Sequence, residues 1–393
     1  VFLPILLVVV ATGSAAFMAY GTDADWARSP NGLDMILRAR RLQWPAVGIS
    51  LLACVGLLAT VVGLRRSVWW LLALAPVLAL FFHRFAPDHR RFSGVFDAPH
   101  FLEAHDPLAP ADEDWIVGMV FADHALAFPY SALNVTPVVF HADYDQRVVL
   151  LFSPSADLAL ARTHLPELRA RDLEVVSMPA DGVLIYNRRL GQFISSVTGL
   201  TVDGKVPYGF GRPVPTFQTT WGQWKKRHPD TLVMQGFSID APRAPQRPSL
   251  NLPPEMDGTA SSTPVIVVHS SPPVALRTPR DEDFPVNFSN GEQRLLLIRS
   301  PVSGRVRCFE RRIGGDLFPT FYPARSRQFP RACMSDADSA SLWDEDGRAI
   351  DGPVKGEVLR EIGVTERAWW GIMRFWMPQL RFVEPEPRRS AGS

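Results

Sequence analysis

The residues of this chain that could carry chemistry are three cysteines, nine histidines and a few hydroxyl and basic side chains in suggestive settings. Cys308 and Cys333 lie in the same part of the chain. In an oxidising compartment they could close a disulfide, and two separate buried thiols are the alternative. Cys54 sits inside an apolar run and has no Cys or His neighbour at zinc-ligand spacing. Ser153 lacks the Gly-x-Ser-x-Gly setting that activates a nucleophile, and no base is identified by spacing. His100 and His105, with Glu103 and Asp106, could be imagined around a metal. Their spacing of five does not share a helix face, so solvated loop residues are the preferred reading. His124 and His141 read as turn or strand-edge residues. The basic run Lys225 to His228 could touch phosphates or lipid headgroups, although a solvated helix face explains it as well. Trp369, Trp370, Phe375 and Trp376 crowd one short helical stretch. Packing accounts for some of these rings, and an exposed remainder would mark contact with a partner or a membrane. No catalytic residue, metal ligand or cofactor site follows from any of these.

The elements that would position such residues fall into a membrane block and a soluble region. Hydrophobic residues make up 47% of the 393, and they concentrate in the first 85. Val1 to Tyr20 carries no charge and is long enough to cross a hydrocarbon core of about 30 Å. The first residue is not Met, which leaves room for residues before Val1, and a cleaved signal peptide is the competing reading. Two further apolar runs, Trp44 to Leu64 and Val68 to Phe82, favour an anchor of about three helices over residues 1–92. Trp69 and Trp70 suit an interface, and Arg65 and Arg66 form a tight turn. Orientation is in conflict. A cytoplasmic Arg65–Arg66 turn puts the soluble region outside, whereas Arg38, Arg40, Arg41, Arg84, Arg90 and Arg91 argue the reverse. Leu33 to Leu42 reads as an amphipathic surface helix, which weakens that second count. The net charge of +1 offers no case for nucleic acid.

The soluble region repeats itself. Gln146-Arg147 and Ser153-Pro154 bracket an apolar run, as do Gln293-Arg294 and Ser300-Pro301; Ser153 to Ser300 is an offset of 147. Gly199 and Gly204 recur as Gly347 and Gly352 (offset 148), and Trp221-Gly222 with Pro229 as Trp370-Gly371 with Pro378 (offset 149). Val148 to Phe152 and Leu295 to Ile298 are expected as buried strands. Asp203-Gly204 and Asp351-Gly352 are expected as turns with positive φ. Trp221 to Arg227 and Trp369 to Trp376 are expected as short helices stopped by Pro229 and Pro378. Trp115 to Phe128 reads as a hairpin turning at Ala122-Asp123-His124, with no clear equivalent in the second copy. The expectation is an α+β protein, with N-terminal transmembrane helices followed by a strand-rich soluble region with an internal duplication. The units are 93–240 and 286–393, joined by a Pro- and Ser-rich linker, 241–285, that holds one strand at Val265 to Val268.

Several strings resemble one bacterial family, the domain of unknown function 3179. They are Trp115-Ile-Val-Gly118, Ala127-Phe-Pro129, Gly182-Val-Leu-Ile-Tyr-Asn-Arg188 and Thr220-Trp-Gly-Gln-Trp-Lys-Lys-Arg-His-Pro-Asp-Thr231. Ser341-Leu-Trp-Asp344 and Gly347-Arg-Ala-Ile-Asp-Gly-Pro-Val-Lys-Gly356 belong to the second unit. The resemblance spans most of Asp112 to Pro385 and implies a membrane-anchored, extracytoplasmic protein of the bacterial inner membrane. The family carries a Cys-Pro-Leu-Cys-Gly-Thr motif after a strand, which implies a redox or metal role. Here the matching stretch is Ser153-Pro154-Ser155-Ala156-Asp157-Leu158, and a family His falls near Thr136. Ser and Ala cannot replace a thiolate as nucleophile or soft ligand. The expectation is therefore a non-catalytic accessory or scaffolding subunit of a larger membrane complex, respiratory or photosynthetic, with other subunits and the bilayer as partners and no cofactor. A redox or metal-binding enzyme using Cys308 and Cys333, and a small-molecule or lipid-binding module, are the alternatives.

Overall fold

The computed structural model describes all residues except 1, 24, 27–28, 30, 64–71, 73, 86–93, 144–145, 237–240, 249–251, 302–303, 316, 325 and 388–393, with the backbone alone at 83–85. The chain is α+β and forms two compact units, Val1–Pro253 and Pro254–Ser393.

The first unit begins with α1 (Phe2–Tyr20), α2 (Gly32–Arg41), α3 (Gln43–Gly63) and α4 (Leu74–Phe85). By length and composition α1 and α3 are able to cross a membrane. Small residues let α1 approach its neighbours closely: Ala11, Ala15 and Ala53 pack together with Val77 of α4. The Ser50 hydroxyl donates to the Ala11 carbonyl at 3.0 Å. The outward faces stay apolar and exposed, as at Leu52 (74%), Val62 (70%) and Phe82 (76%). Gly21 sits where a Cβ would lie 2.6 Å from the Ala39 Cβ, so the absence of a side chain allows α2 to fold back after α1. Of the third apolar run, residues 74–82 lie in α4. Arg65, Arg66, Trp69, Trp70, Arg90 and Arg91 lie outside the described residues, as does the side chain of Arg84.

Three stacked sheets follow. The middle sheet has the order β1 (Val95–Asp97), β5 (Val138–Asp143), β6 (Gln146–Ser153), β7 (Leu158–His164), β11 (Phe210–Val214). A second has β12 (Phe217–Thr220), β3 (Trp115–Phe121), β4 (His124–Pro129), β13 (Leu232–Met234), β2 (Phe101–Glu103). The third has β10 (Gln192–Ser195), β9 (Leu184–Asn187), β8 (Leu173–Ser177). Successive side chains of a strand point to opposite faces. Val148, Leu150 and Phe152 therefore pack with Val117, Met119 and Phe128 of the second sheet. Val149 and Leu151 pack with Val183, Ile185 and Ile194 on the third-sheet side. Burial on both faces explains the unbroken apolar run of β6. The β3–β4 hairpin turns at Ala122 (φ 52°) and Asp123 (φ 64°), the two left-handed positions of a tight hairpin turn. Between β4 and β5 lies the short helix α5 (Tyr130–Leu133), and α6 (Trp221–Arg227) follows β12. α6 covers the outer face of the second sheet with Trp221 and Trp224 against Ile116, Ala127 and Val233.

The second unit is arranged similarly. After a small hairpin, β14 (Glu255–Met256) and β15 (Thr259–Ala260), one sheet has the order β26 (Val364–Trp369), β16 (Pro264–Val268), β17 (Val274–Arg277), β27 (Arg381–Phe382). The middle sheet is β18 (Val286–Asn290), β19 (Gln293–Arg299), β20 (Val306–Glu310), β25 (Arg360–Ile362). The last is β21 (Phe321–Pro323), β22 (Met334–Asp336), β23 (Leu342–Trp343), β24 (Ala349–Asp351). The helix α7 (Trp370–Trp376) follows β26 as α6 follows β12. β12–β3–β4–β13 and β26–β16–β17–β27 share the same directions, antiparallel, antiparallel, then parallel. The recurrence reaches single bonds. The Trp221 and Gly222 amides donate to the Asp114 and Asp112 carbonyls (2.8 and 2.9 Å), and the Trp370 and Gly371 amides to those of Thr263 and Ser261 (2.8 and 3.0 Å).

This corrects the expected linker. Residues 254–285 are part of the second unit, and β16 with β17 is the hairpin that had no equivalent in the sequence. Composition misled because the run Ser270 to Pro273 joining the two strands is a loop, while the strands beside it, Val265–Val268 and Val274–Leu276, are buried. The turns at Gly204 (φ 80°) and Gly352 (φ 100°) have the expected positive φ.

Candidate functional site

Residues 153–158, which the resemblance sets against a cysteine motif, leave the end of β6 and lead into β7. Ser153 is fully buried, and its hydroxyl shares a 2.5 Å hydrogen bond with the Ser196 hydroxyl, which also accepts the Val183 amide at 2.9 Å. Ala156, in the stretch that lacks the motif's cysteines, is fully buried. Asp157 takes a left-handed conformation (φ 51°) and turns its carboxylate inward. There the Tyr130 hydroxyl donates to Oδ1 at 2.6 Å, and the Gln218 amide donates to Oδ1 at 3.0 Å and to the Tyr130 hydroxyl at 2.9 Å. Thr136, near the family's His, spends its hydroxyl on the Ala132 carbonyl at 3.0 Å. Just before Val183, Ala180 (φ 51°) and Asp181 (φ 59°) are two consecutive left-handed residues, both buried. Backbone strain of this kind is kept only where the surroundings enforce it. The two serine hydroxyls are bonded to each other, an arrangement that holds the turn.

The other residues named from the sequence are dispersed. His100 precedes β2 and His105 lies in the turn after it, where Asp106 accepts the Leu108 amide at 2.8 Å. No group of three His, Cys, Asp or Glu side chains able to hold a metal occurs among the described residues. His124 pairs with Asp143 at 3.6 Å, and the His141 ring meets Phe101 edge-on at 4.9 Å. In the basic run, Lys225 is taken by Asp112 at 2.7 Å, and the His228 ring rests on Trp224 at 4.2 Å. Trp370 and Trp376 are core residues. Trp370 donates to the Met256 carbonyl at 2.9 Å and stacks on Phe382 at 4.2 Å, while Trp369 and Phe375 are half-buried.

Cys308 and Cys333 are free thiols. The disulfide considered from sequence is not formed, because the two lie against opposite faces of the middle sheet of the second unit. Cys308 packs with Leu295 and Leu297, whereas Cys333 packs on the side of Leu296, Phe309 and Trp343. Burial pushes the Cys308 thiol up to about 12; burial and then the Asp344 and Glu345 carboxylates do the same at Cys333. At neutral pH both remain thiols, the form that is neither nucleophile nor good metal ligand.

Two features were missed by reading the sequence. The first joins α2 to the third sheet: Arg40 meets Glu174 at 2.6 Å and lies 4.7 Å over the Tyr186 ring, Arg188 meets the same carboxylate at 2.9 Å, and Arg41 lies 5.5 Å over Phe193. Amphipathic spacing in α2 was the available signal, but the partner lies 134 residues away. The second is a cleft at the edge of the middle sheet, lined by Asp97, His141, Arg147, His164, Arg169 and Arg171 among others. Its residues come from separate segments, and no local motif marks them.

Fold and site together define an α+β protein with two apolar N-terminal helices and a strand-rich region whose motif turn is closed by serine and alanine. The model of the family described as "Protein of unknown function (DUF3179)" matches residues 95–379, and the chain belongs to that family. No curated protein and no solved structure matches the chain.

Proposed function

We propose that this chain is a membrane-anchored, non-catalytic accessory or scaffolding subunit of a larger membrane complex. The observation that carries the reading is the motif turn. The family scaffold is kept, while its reactive position is filled by the Ser153–Ser196 pair and the Tyr130–Asp157–Gln218 network. Replacing reactive groups with bonds that only hold a turn is compatible with a role in assembly. The strand plan shared by the two units supports descent from one duplicated unit.

The anchor reading rests on the exposed apolar faces of α1, α3 and α4, which in water would form a patch far larger than soluble proteins tolerate. α4 alone is about 18 Å long at 1.5 Å per residue, so it needs flanking residues to span. The orientation conflict eases once α2 is considered. Arg40 and Arg41 are engaged by Glu174, Tyr186 and Phe193, so they are poor evidence for a cytoplasmic loop. α2 then belongs on the side of the strand-rich region, with residues 65–66 in the cytoplasm and the sheets in the periplasm of the bacterial inner membrane.

Two measurements test this. Extraction in mild detergent followed by native mass analysis is expected to give a defined hetero-assembly; a lone monomer would sink the scaffold reading. Single cysteines introduced at Leu108 and at Arg66 are expected to differ towards an impermeant maleimide in intact spheroplasts, with Leu108→Cys labelled and Arg66→Cys protected. The reverse pattern overturns the orientation. Cys308 is buried and Cys54 and Cys333 are half-buried, so the parent chain is labelled in parallel to set the background.

A further inference from the structure

A cavity of about 480 Å³ opens at the edge of the middle sheet of the first unit. It lies where the end of β1, the β5–β6 hairpin, the end of β7 and the loop leading into β8 converge. Three arginines line it, Arg147, Arg169 and Arg171, against one acidic residue, Asp97. Elsewhere in the chain arginines are commonly paired, as Arg40, Arg188, Arg307, Arg311 and Arg360 are. Among the described residues, Arg147, Arg169 and Arg171 have no ion-pair partner. Three unpaired cations converging on one concavity raise the local potential for an anion.

Two histidines complete the wall and are already oriented. His164 Nδ1 lies 2.9 Å from the Leu165 carbonyl, which puts the proton on Nδ1 and leaves Nε2 for another partner. Its ring is seated against Phe140 at 4.9 Å, as that of His141 is against Phe101. Burial, and for His164 the Arg147 charge as well, holds both below the ordinary imidazole range, so at neutral pH they serve as uncharged hydrogen-bonding groups. Ala98, on the rim, is left-handed at φ 51°, an outlier of the kind that clusters at ligand sites.

We propose that this cleft is a binding site for a phosphate ester, with Arg147, Arg169 and Arg171 as the anion clamp. A lone carboxylate is satisfied by one guanidinium fork, whereas three forks from separate segments match the several oxygens of a phosphate. The cavity is much larger than a phosphate ion and has apolar wall at Phe140 and Leu168, which leaves space for the esterified group. The phosphate can belong to a soluble metabolite or to a phospholipid headgroup. The second source is close at hand, because Arg171 is three residues, at most roughly 10 Å of chain, from Glu174, which grips Arg40 of α2.

The full chain in detergent is titrated with glycerol phosphate by calorimetry. In parallel it is reconstituted in nanodiscs of phosphatidylglycerol or phosphatidylcholine, and retained lipid is read by native mass spectrometry. Saturable glycerol phosphate binding assigns a soluble ligand; retention of phosphatidylglycerol without it assigns the lipid. The double variant Arg169→Gln/Arg171→Gln, both positions being exposed, is expected to weaken whichever binding is seen at least tenfold with an unchanged melting temperature. Arg360→Gln, a surface arginine of the other unit, is expected to leave it unaltered. Binding of neither probe, or equal binding by the double variant, overturns the proposal. Should the double variant melt early, Arg147→Lys decides in its place: it keeps the charge and removes the fork, and undiminished binding then counts against the clamp.

Discussion

Gly118 shows what one missing side chain does for this fold. A Cβ there would lie 2.6 Å from Cζ3 of Trp224, so the indole of α6 rests directly on the backbone of β3. Gly118→Ala is expected to destabilise the first unit by about 1–3 kcal/mol, the usual cost of overpacking a filled core, read by chemical denaturation. An unchanged midpoint would mean that the indole has room to move. The string Trp115-Ile-Val-Gly118 was visible in the sequence, and so was Trp221-Gly-Gln-Trp224. That each explains the other was not, because their contact joins residues about a hundred positions apart. The motif turn was legible in a different way. Loss of the cysteines could be read directly, but the buried partner that replaced them, Ser196, could not, since a serine hydroxyl gives no periodic or compositional signal.

Among the elements, α2 carries the clearest consequence. Its amphipathic pattern identified a helix, and the structure gives its charged side a partner in Glu174, whose carboxylate is 22% exposed beside an Arg40 that is 9% exposed. Burial works against the charge on Glu174, yet the Arg40 and Arg188 guanidiniums outweigh it and hold the group below the ordinary carboxylate range. A folded value below the unfolded one contributes stability above the unfolded value and loses it as pH falls through the folded value. Acidification from pH 5 downwards is therefore expected to loosen α2 from β8–β10, seen as faster amide exchange in residues 32–41 (the range of α2). Glu174→Gln should produce the same loosening at neutral pH, at a cost of about 1.5–3 kcal/mol, the worth of a charged hydrogen bond. Protection that stays unchanged in both cases would show that apolar contacts alone hold the helix. The β16–β17 hairpin teaches the opposite lesson about legibility. The Trp221–Trp370 offset of 149 projects Trp115 onto Pro264, where β16 starts. The signal was present, but proline-rich surroundings hid it.

For the molecule as a whole, what sequence and structure share is the α+β class, with a similar order of strands around β6 and β19 and a short helix after β12 and after β26. Apolar runs bounded by Ser-Pro marked β6 and β19 because a strand covered on both faces needs no polar alternation. What composition could not supply was the boundary. It falls at Pro253–Pro254, inside the stretch first read as a linker, because the small hairpin β14–β15 already packs beneath α7. The cleft with its three arginines belongs to this level too, since only the stacking of the sheets brings β1, β5, β7 and the loop before β8 to one edge.

The amides that open α6 and α7 have a kinetic meaning. Each pair closes on carbonyls that lie about 110 residues earlier, from Gly222 back to Asp112 and from Gly371 back to Ser261. Each unit thus closes a loop of chain about 110 residues long, and the seal cannot form until most of that unit has left the ribosome. Contacts of such long sequence separation raise contact order and place the entropy of loop closure ahead of the contacts that repay it. Each unit should fold slowly for its size. During synthesis the first unit waits with its sheets unsealed for a helix encoded almost at its end.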